Sequence, residues 1–164
     1  MTAPGPSSPR SLPSTLKGSS LDAFDADALV YAAVPGHPRC ERVAALFPAG
    51  PIDGSGPKVG VGSVLLLPEV LSKPLREGDE EAVRTLSRFL VRLDLRPVDQ
   101  LTAVQAAVLG AKYKLRGPDA AHLAAAIAMG ATRFITNNSK DFGPFIKEID
   151  VTFPADLPGP ETTG

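Results

Sequence analysis

The sequence predicts an α/β domain built on a central, mostly parallel sheet, and three observations predict it. Short β-prone segments alternate with longer segments of helical period along most of the chain, the pattern of a parallel sheet covered by helices. The chain has 164 residues, enough for one domain with a real core. Both ends are dense in Pro, Ser, Thr and Gly and hold too little apolar area to offset the entropy of ordering. Tails are therefore expected over residues 1–20 and 154–164, with the domain over residues 21–153.

The elements follow in order. Leu21 to Phe24 is the first expected strand, and Arg39 to Phe47 the first separate helix. The stretch PAGPIDGSGPK, residues 48–58, is turn chemistry between elements rather than a second domain. A strand over Lys58 to Gly62 leads to a helical segment that contains Pro68 and ends at Lys73; Gly78 then breaks the pattern. Glu80 to Arg92 reads as a helix, Leu93 to Pro97 as a strand and Thr102 to Leu115 as a helix. After the Gly117-Pro118 break comes the Ala-rich helix Asp119 to Met129. Gly130 ends it, and strands at Thr132 to Thr136 and Ile149 to Phe153 complete the domain. The chain carries no internal repeat.

Composition excludes several functions. Lys and Arg number 17 against 18 Asp and Glu, for a formal charge of -1, so no overall basic field draws in nucleic acid or anionic membrane. A phosphate partner has to be held locally. The one cysteine, Cys40, allows no internal disulfide, and MTAPGPSSPR lacks the apolar core of a signal peptide; a cytoplasmic protein is expected. The longest apolar run, VGVGSVLLLPEVL, is broken by Gly62, Pro68 and Glu69, which excludes membrane insertion. GVGSVL lacks the third glycine of a dinucleotide loop. His37 to Cys40 is half of a zinc pattern with too few partners elsewhere, and Cys40, on an expected surface helix, lacks a triad.

The acidic residues are more informative. Asp25 follows the first strand, inside a segment that should be largely buried, where an unpaired carboxylate is costly. TNNSKDF, Thr136 to Phe142, follows the strand TRFIT, and Glu69 and Asp119 stand beside prolines in the opening turns of two helices. In an open parallel sheet the carboxyl edge is where ligands bind. If all these elements share that edge, Asp25, Glu69, Asp119 and Asp141 converge on one cleft. Gathered carboxylates need a cation or a proton, and carboxylates with water suit Mg²⁺ or Mn²⁺. Taken singly, Glu69 and Asp119 are better explained by the helix dipole, and Asp141 by a loop or capping role.

Together these segments resemble a known family. AFDADALVYAAVPGHPRCERVAALF resembles the opening of a PIN domain: a strand ending in Asp, a small or polar residue two positions on, and an apolar helix start. SVLLLPEVLSKPL resembles the second motif of that family. YKLRGPDAAHLAAAIAMGATRFITNNSKDF resembles the third and fourth, and the likeness covers residues 21–145. It implies a PIN-like three-layer α/β/α fold. Single-domain members of this kind resemble VapC-type toxins, which implies an Mg²⁺- or Mn²⁺-dependent endoribonuclease, dimeric, and held inactive by an antitoxin.

By the same resemblance Asp25, Glu69 and Asp119 are the metal-binding and catalytic positions. Where many relatives carry Asp in a T-N-D turn this chain has Asn138, a neutral ligand, and Asp141 is placed to compensate directly or through water. Thr136 and Asn137 would orient waters or the phosphate by hydrogen bonds, and Asp27 would support the loop. Arg116 and Lys140 flank the acids and are expected to grip phosphate, whereas Lys112 and Lys114 read as solvated helix residues. His122, one turn after Asp119, could carry a proton, but a hydrogen-bonded packing role is the expectation.

Two alternatives remain open from the sequence. FDADAL also resembles the D-x-D motif of haloacid-dehalogenase-type phosphatases, with Asp25 as nucleophile and Asp27 as general acid and base, but TNNSKDF does not supply that family's late motif. With Asn138 in the turn, a catalytically weak PIN-like module that binds RNA or protein is the other.

Overall fold

The computed structural model describes residues 20–159. Its elements are β1 (Asp22–Phe24), α1 (Ala26–Ala32), α2 (Pro38–Ala44), β2 (Gly60–Ser63), α3 (Leu66–Glu77) and α4 (Glu80–Leu90). They continue as β3 (Leu93–Arg96), α5 (Gln100–Tyr113), α6 (Gly117–Ala128), β4 (Arg133–Ile135) and β5 (Asp150–Thr152). The strands form one sheet in the order β3-β2-β1-β4-β5, and every pair is parallel. β1 is the central strand, so its carboxyl end lies in the middle of the sheet's carboxyl edge.

Two apolar layers sandwich the sheet, because successive strand residues face opposite sides. Ala23, Val61 and Phe134 pack with α5 and α6 residues such as Leu109, Leu123 and Ala124. Phe24, Leu93 and Ile135 pack on the other side with Leu29, Val43, Leu66 and Leu90 of α1 to α4. The α/β/α architecture expected from the sequence is therefore present. β2 reaches β1 closely because Gly60 has no side chain: a Cβ there would stand 2.6 Å from the Asp22 carbonyl.

The sequence-based boundaries differ from the structure in specific ways. The helix start that the resemblance places just after Asp25 is α1, only 7 residues long; hydrophobic period alone pointed first to Arg39 to Phe47. The cap of α1 is Asp25, whose Oδ1 accepts from the Ala26 N–H at 2.9 Å. α2 starts at Pro38, a residue preset for a first helical turn. α3 was expected to stop at Lys73 but runs through Pro74 to Glu77. It ends where Gly78 turns left-handed at φ 67 and the Asp79 N–H closes onto the Pro74 carbonyl at 2.9 Å. α5 opens two residues before Thr102, capped by Asp99, which accepts from the Thr102 N–H at 2.8 Å.

Packing also runs past the expected boundary at Phe153. Pro154–Asp156 form a 3-10 turn, Leu157 is buried, and the Arg42 guanidinium donates to the Ala155 and Leu157 carbonyls at 2.7 and 3.1 Å. Residues 1–19 and 160–164, which fall in the expected tails, lie outside the described residues. The 48–58 loop is held by the buried Arg92, which donates to the Pro48 and Pro57 carbonyls at 2.6 and 3.3 Å. Cys40, expected on a surface helix, is buried in α2, and His37 caps that helix by accepting from the Arg39 N–H. No helix among the described residues is long and apolar enough to cross a membrane.

Candidate active site

Four elements bring their acids to the carboxyl edge of the sheet. Asp25 follows β1, Glu69 stands in the first turn of α3, Asp119 in the first turn of α6, and Asp141 in the loop after β4. With Asp27, Arg116, Asn138 and Lys140 they line one cleft. The convergence expected of Asp25, Glu69, Asp119 and Asp141 is what the topology produces. Lys112 is not part of it: it is exposed and pairs with Glu148 at 2.6 Å. Lys114 takes the left-handed position that ends α5.

Thr136, fully buried at the end of β4, organises the centre. Its hydroxyl donates to Asp25 Oδ2 at 2.8 Å and lies 3.3 Å from Asp27 Oδ1; its oxygen accepts from the Asn138 N–H at 3.1 Å. A fully buried side chain so engaged has no surface left for substrate or phosphate, so the direct contact expected of Thr136 is corrected: it touches the Asp25 and Asp27 carboxylates and the Asn138 N–H instead. Asp27 also accepts from the Asn137 N–H at 3.0 Å, which makes it a brace between α1 and the loop. Asn137 is itself exposed. Asn138 and Asp141 bind reciprocally: the Asn138 amide donates to Asp141 Oδ2 at 3.0 Å and accepts from the Asp141 N–H at 3.2 Å. The neutral residue thereby aims the charged one.

The electrostatics of the cleft favour a cation. Burial, and then the neighbouring Asp27, push the Asp25 carboxyl up to about 7. Burial raises Asp27, and burial followed by Asp141 and Glu69 raises Asp119. Five carboxylates face two basic side chains, Arg116 and Lys140, and neither forms a salt bridge among the described residues. Hard oxygen donors in excess of positive charge fit a divalent ion such as Mg²⁺ or Mn²⁺. Among the described residues no three His, Cys, Asp or Glu side chains stand close enough together to hold a metal ion by themselves. An ion held here would keep several waters, as Mg²⁺ does.

His122 was expected as a hydrogen-bonded packing residue, and it is both buried and hydrogen-bonded. Its partner was not foreseen: Nε2 lies 3.0 Å from Glu69 Oε2. The three-residue step from Asp119, which puts both on one face of α6, was the available signal.

The chain is thus a parallel α/β domain whose central strand ends in an acidic cleft. The PIN domain family model matches residues 23–143, and the chain belongs to that family. A structure described as a toxin-antitoxin complex from Klebsiella pneumoniae superposes with a TM-score of 0.62 at 25% identity, over 84% of this chain and 100% of that one. VapBC2 from Rickettsia felis, bound to a DNA fragment from their promoter, is similar in fold, with a TM-score of 0.61 at 18% identity over 81% and 98% of the two chains. No curated protein matches the sequence.

Proposed function

We propose that the protein is a metal-dependent endoribonuclease that hydrolyses RNA phosphodiesters with an activated water, and that it acts as the toxin of a toxin-antitoxin pair. The observation that carries this reading is the convergence of Asp25, Glu69, Asp119 and Asp141 on one cleft in a chain of the PIN family. The likeness to a toxin-antitoxin complex supports the toxin role and an antitoxin partner. A homodimer in the cytoplasm belongs to the same reading.

A bound Mg²⁺ or Mn²⁺ supplies Lewis acidity and a water acidic enough to act as nucleophile near neutral pH. Asp25, Glu69 and Asp119 would hold it, with Asp141, aimed by Asn138, as the fourth oxygen donor. Arg116 and Lys140 on the cleft wall grip the phosphate that net charge does not attract. Thr136 keeps the Asp25 carboxylate oriented, and Asn137 fixes Asp27. In-line attack by water on phosphorus leaves a 5′-phosphate and a 3′-hydroxyl, and no covalent enzyme intermediate forms.

The reading is tested by incubating the protein with RNA and Mg²⁺ or Mn²⁺. Cleavage that a chelator stops is expected; a folded protein that cuts no RNA with either ion would favour the binding module. Asp27→Asn separates the nuclease from the phosphatase. As a brace accepting from the Asn137 N–H, Asp27 can be replaced by an amide whose oxygen accepts the same bond. Most of the RNA cleavage is expected to survive, whereas a phosphatase that used Asp27 as general acid and base would lose nearly all its activity. Trapping of an aspartyl-phosphate would support only the phosphatase. A small DNA-binding protein encoded beside this chain would support the toxin role.

A further inference from the structure

We infer that His122 is a positioning residue for Glu69, and that its Nε2–H presets that carboxylate for a divalent cation. The inference rests on the reading of Glu69 as a metal-binding side chain.

His122 Nε2 stands 3.0 Å from Oε2 of Glu69, which lines the cleft. The ring is 2% exposed, and its other nitrogen, Nδ1, is a buried side-chain atom without a hydrogen-bond partner. A lone pair left unpaired in an apolar interior costs less than a buried N–H without an acceptor. The proton of the neutral ring therefore sits on Nε2, which donates to Glu69, and Nδ1 carries the lone pair. The imidazole lies on the most buried stretch of α6, where Ala120 to Ala126 are all buried.

Glu69 has the opposite character. Its side chain is 31% exposed, with three rotatable bonds to order. No other side-chain hydrogen bond fixes it among the described residues. Its helix, α3, packs on one face of the sheet through Leu66 and Val70, while α6 packs on the other. The bond from His122 thus ties the two layers together over the carboxyl edge and sets the distance of Glu69 from Asp119, one turn before His122 on the same helix face. A partner that orients a ligating carboxylate in this way typically affects metal affinity about 10- to 100-fold.

The test uses the full chain with Mn²⁺ as probe, its affinity measured by calorimetry or by the electron paramagnetic resonance of the free ion. Gln places an N–H donor where Nε2 stands, and Asn places one where Nδ1 stands. His122→Leu and His122→Asn are expected to weaken Mn²⁺ binding by about 10- to 100-fold, and His122→Gln to restore most of it. Unfolding midpoints measured without metal identify variants whose core has failed. A folded His122→Leu that binds Mn²⁺ like the wild type would overturn the inference, as would folded Gln and Asn variants of equal affinity, because a packing role does not distinguish the two nitrogens. A wild type that binds no Mn²⁺ would overturn the metal-site reading, and this inference with it.

Discussion

Asp25→Asn is expected to reduce metal-dependent RNA cleavage by more than about 100-fold, beyond the usual effect of losing a residue that merely supports a ligand, and to leave the fold intact. The amide oxygen still accepts from the Ala26 N–H, so the cap of α1 survives. What disappears is the charge nearest the centre of the sheet edge. The same change should stabilise the metal-free protein, with a definite pH dependence. The folded carboxyl titrates at about 7 against an ordinary value of 3.8, because burial and Asp27 oppose its ionisation. Between those values the folded state keeps a proton that the unfolded chain releases, so stability falls as pH rises through that window. Metal-free wild type is expected to unfold more readily at pH 8 than at pH 5, and Asp25→Asn to show less of this loss. Cleavage assays and thermal unfolding at the two pH values check both parts; unchanged cleavage would sink the assignment of Asp25.

Phe134→Ala is expected to remove about 3–5 kcal/mol of folding stability, a large fraction of the total for a domain of this kind. Phe134 lies on β4, fully buried, beside the central strand. Its ring meets Phe142 at a centroid distance of 5.1 Å, within a cluster that includes Ala23, Leu123 and Ile146. Alanine would leave a cavity under the loop that carries Asn138 and Asp141, so the loss of stability should come with a looser site. Urea unfolding measures the first effect, and RNA cleavage well below the unfolding midpoint the second. A midpoint within experimental error of the wild type would contradict the packing described.

Much of this was legible in the sequence, for reasons that can be stated residue by residue. The Ala-rich run after Asp119 announces α6 through helix propensity and its Gly boundaries. The β-prone runs ending at Phe24 and Thr136 announce β1 and β4, and the acids just beyond them follow from where strands end. α1 was legible only through the resemblance, as a helix start after Asp25, because seven residues give too short a period to register by themselves. The α3 segment was read only to Lys73, although it runs on to the left-handed Gly78, the break the sequence also showed. Leu157 lies in a Pro-rich tail, and only its burial in the apolar cluster that includes Val43 and the grip of Arg42 show that it belongs to the core.

Local chemistry by itself determined the alternation of strands and helices, the parallel sheet and the residue types able to bind a divalent ion, because propensity and hydrophobic period act over a few neighbouring residues. Only the tertiary structure decided which polar groups meet. Thr136 lies 111 residues from Asp25 and His122 lies 53 from Glu69. Such pairings depend on the order β3-β2-β1-β4-β5 and on the two layers closing over one edge. No short-range pattern encodes a hydrogen bond that exists only once the strands have found their partners.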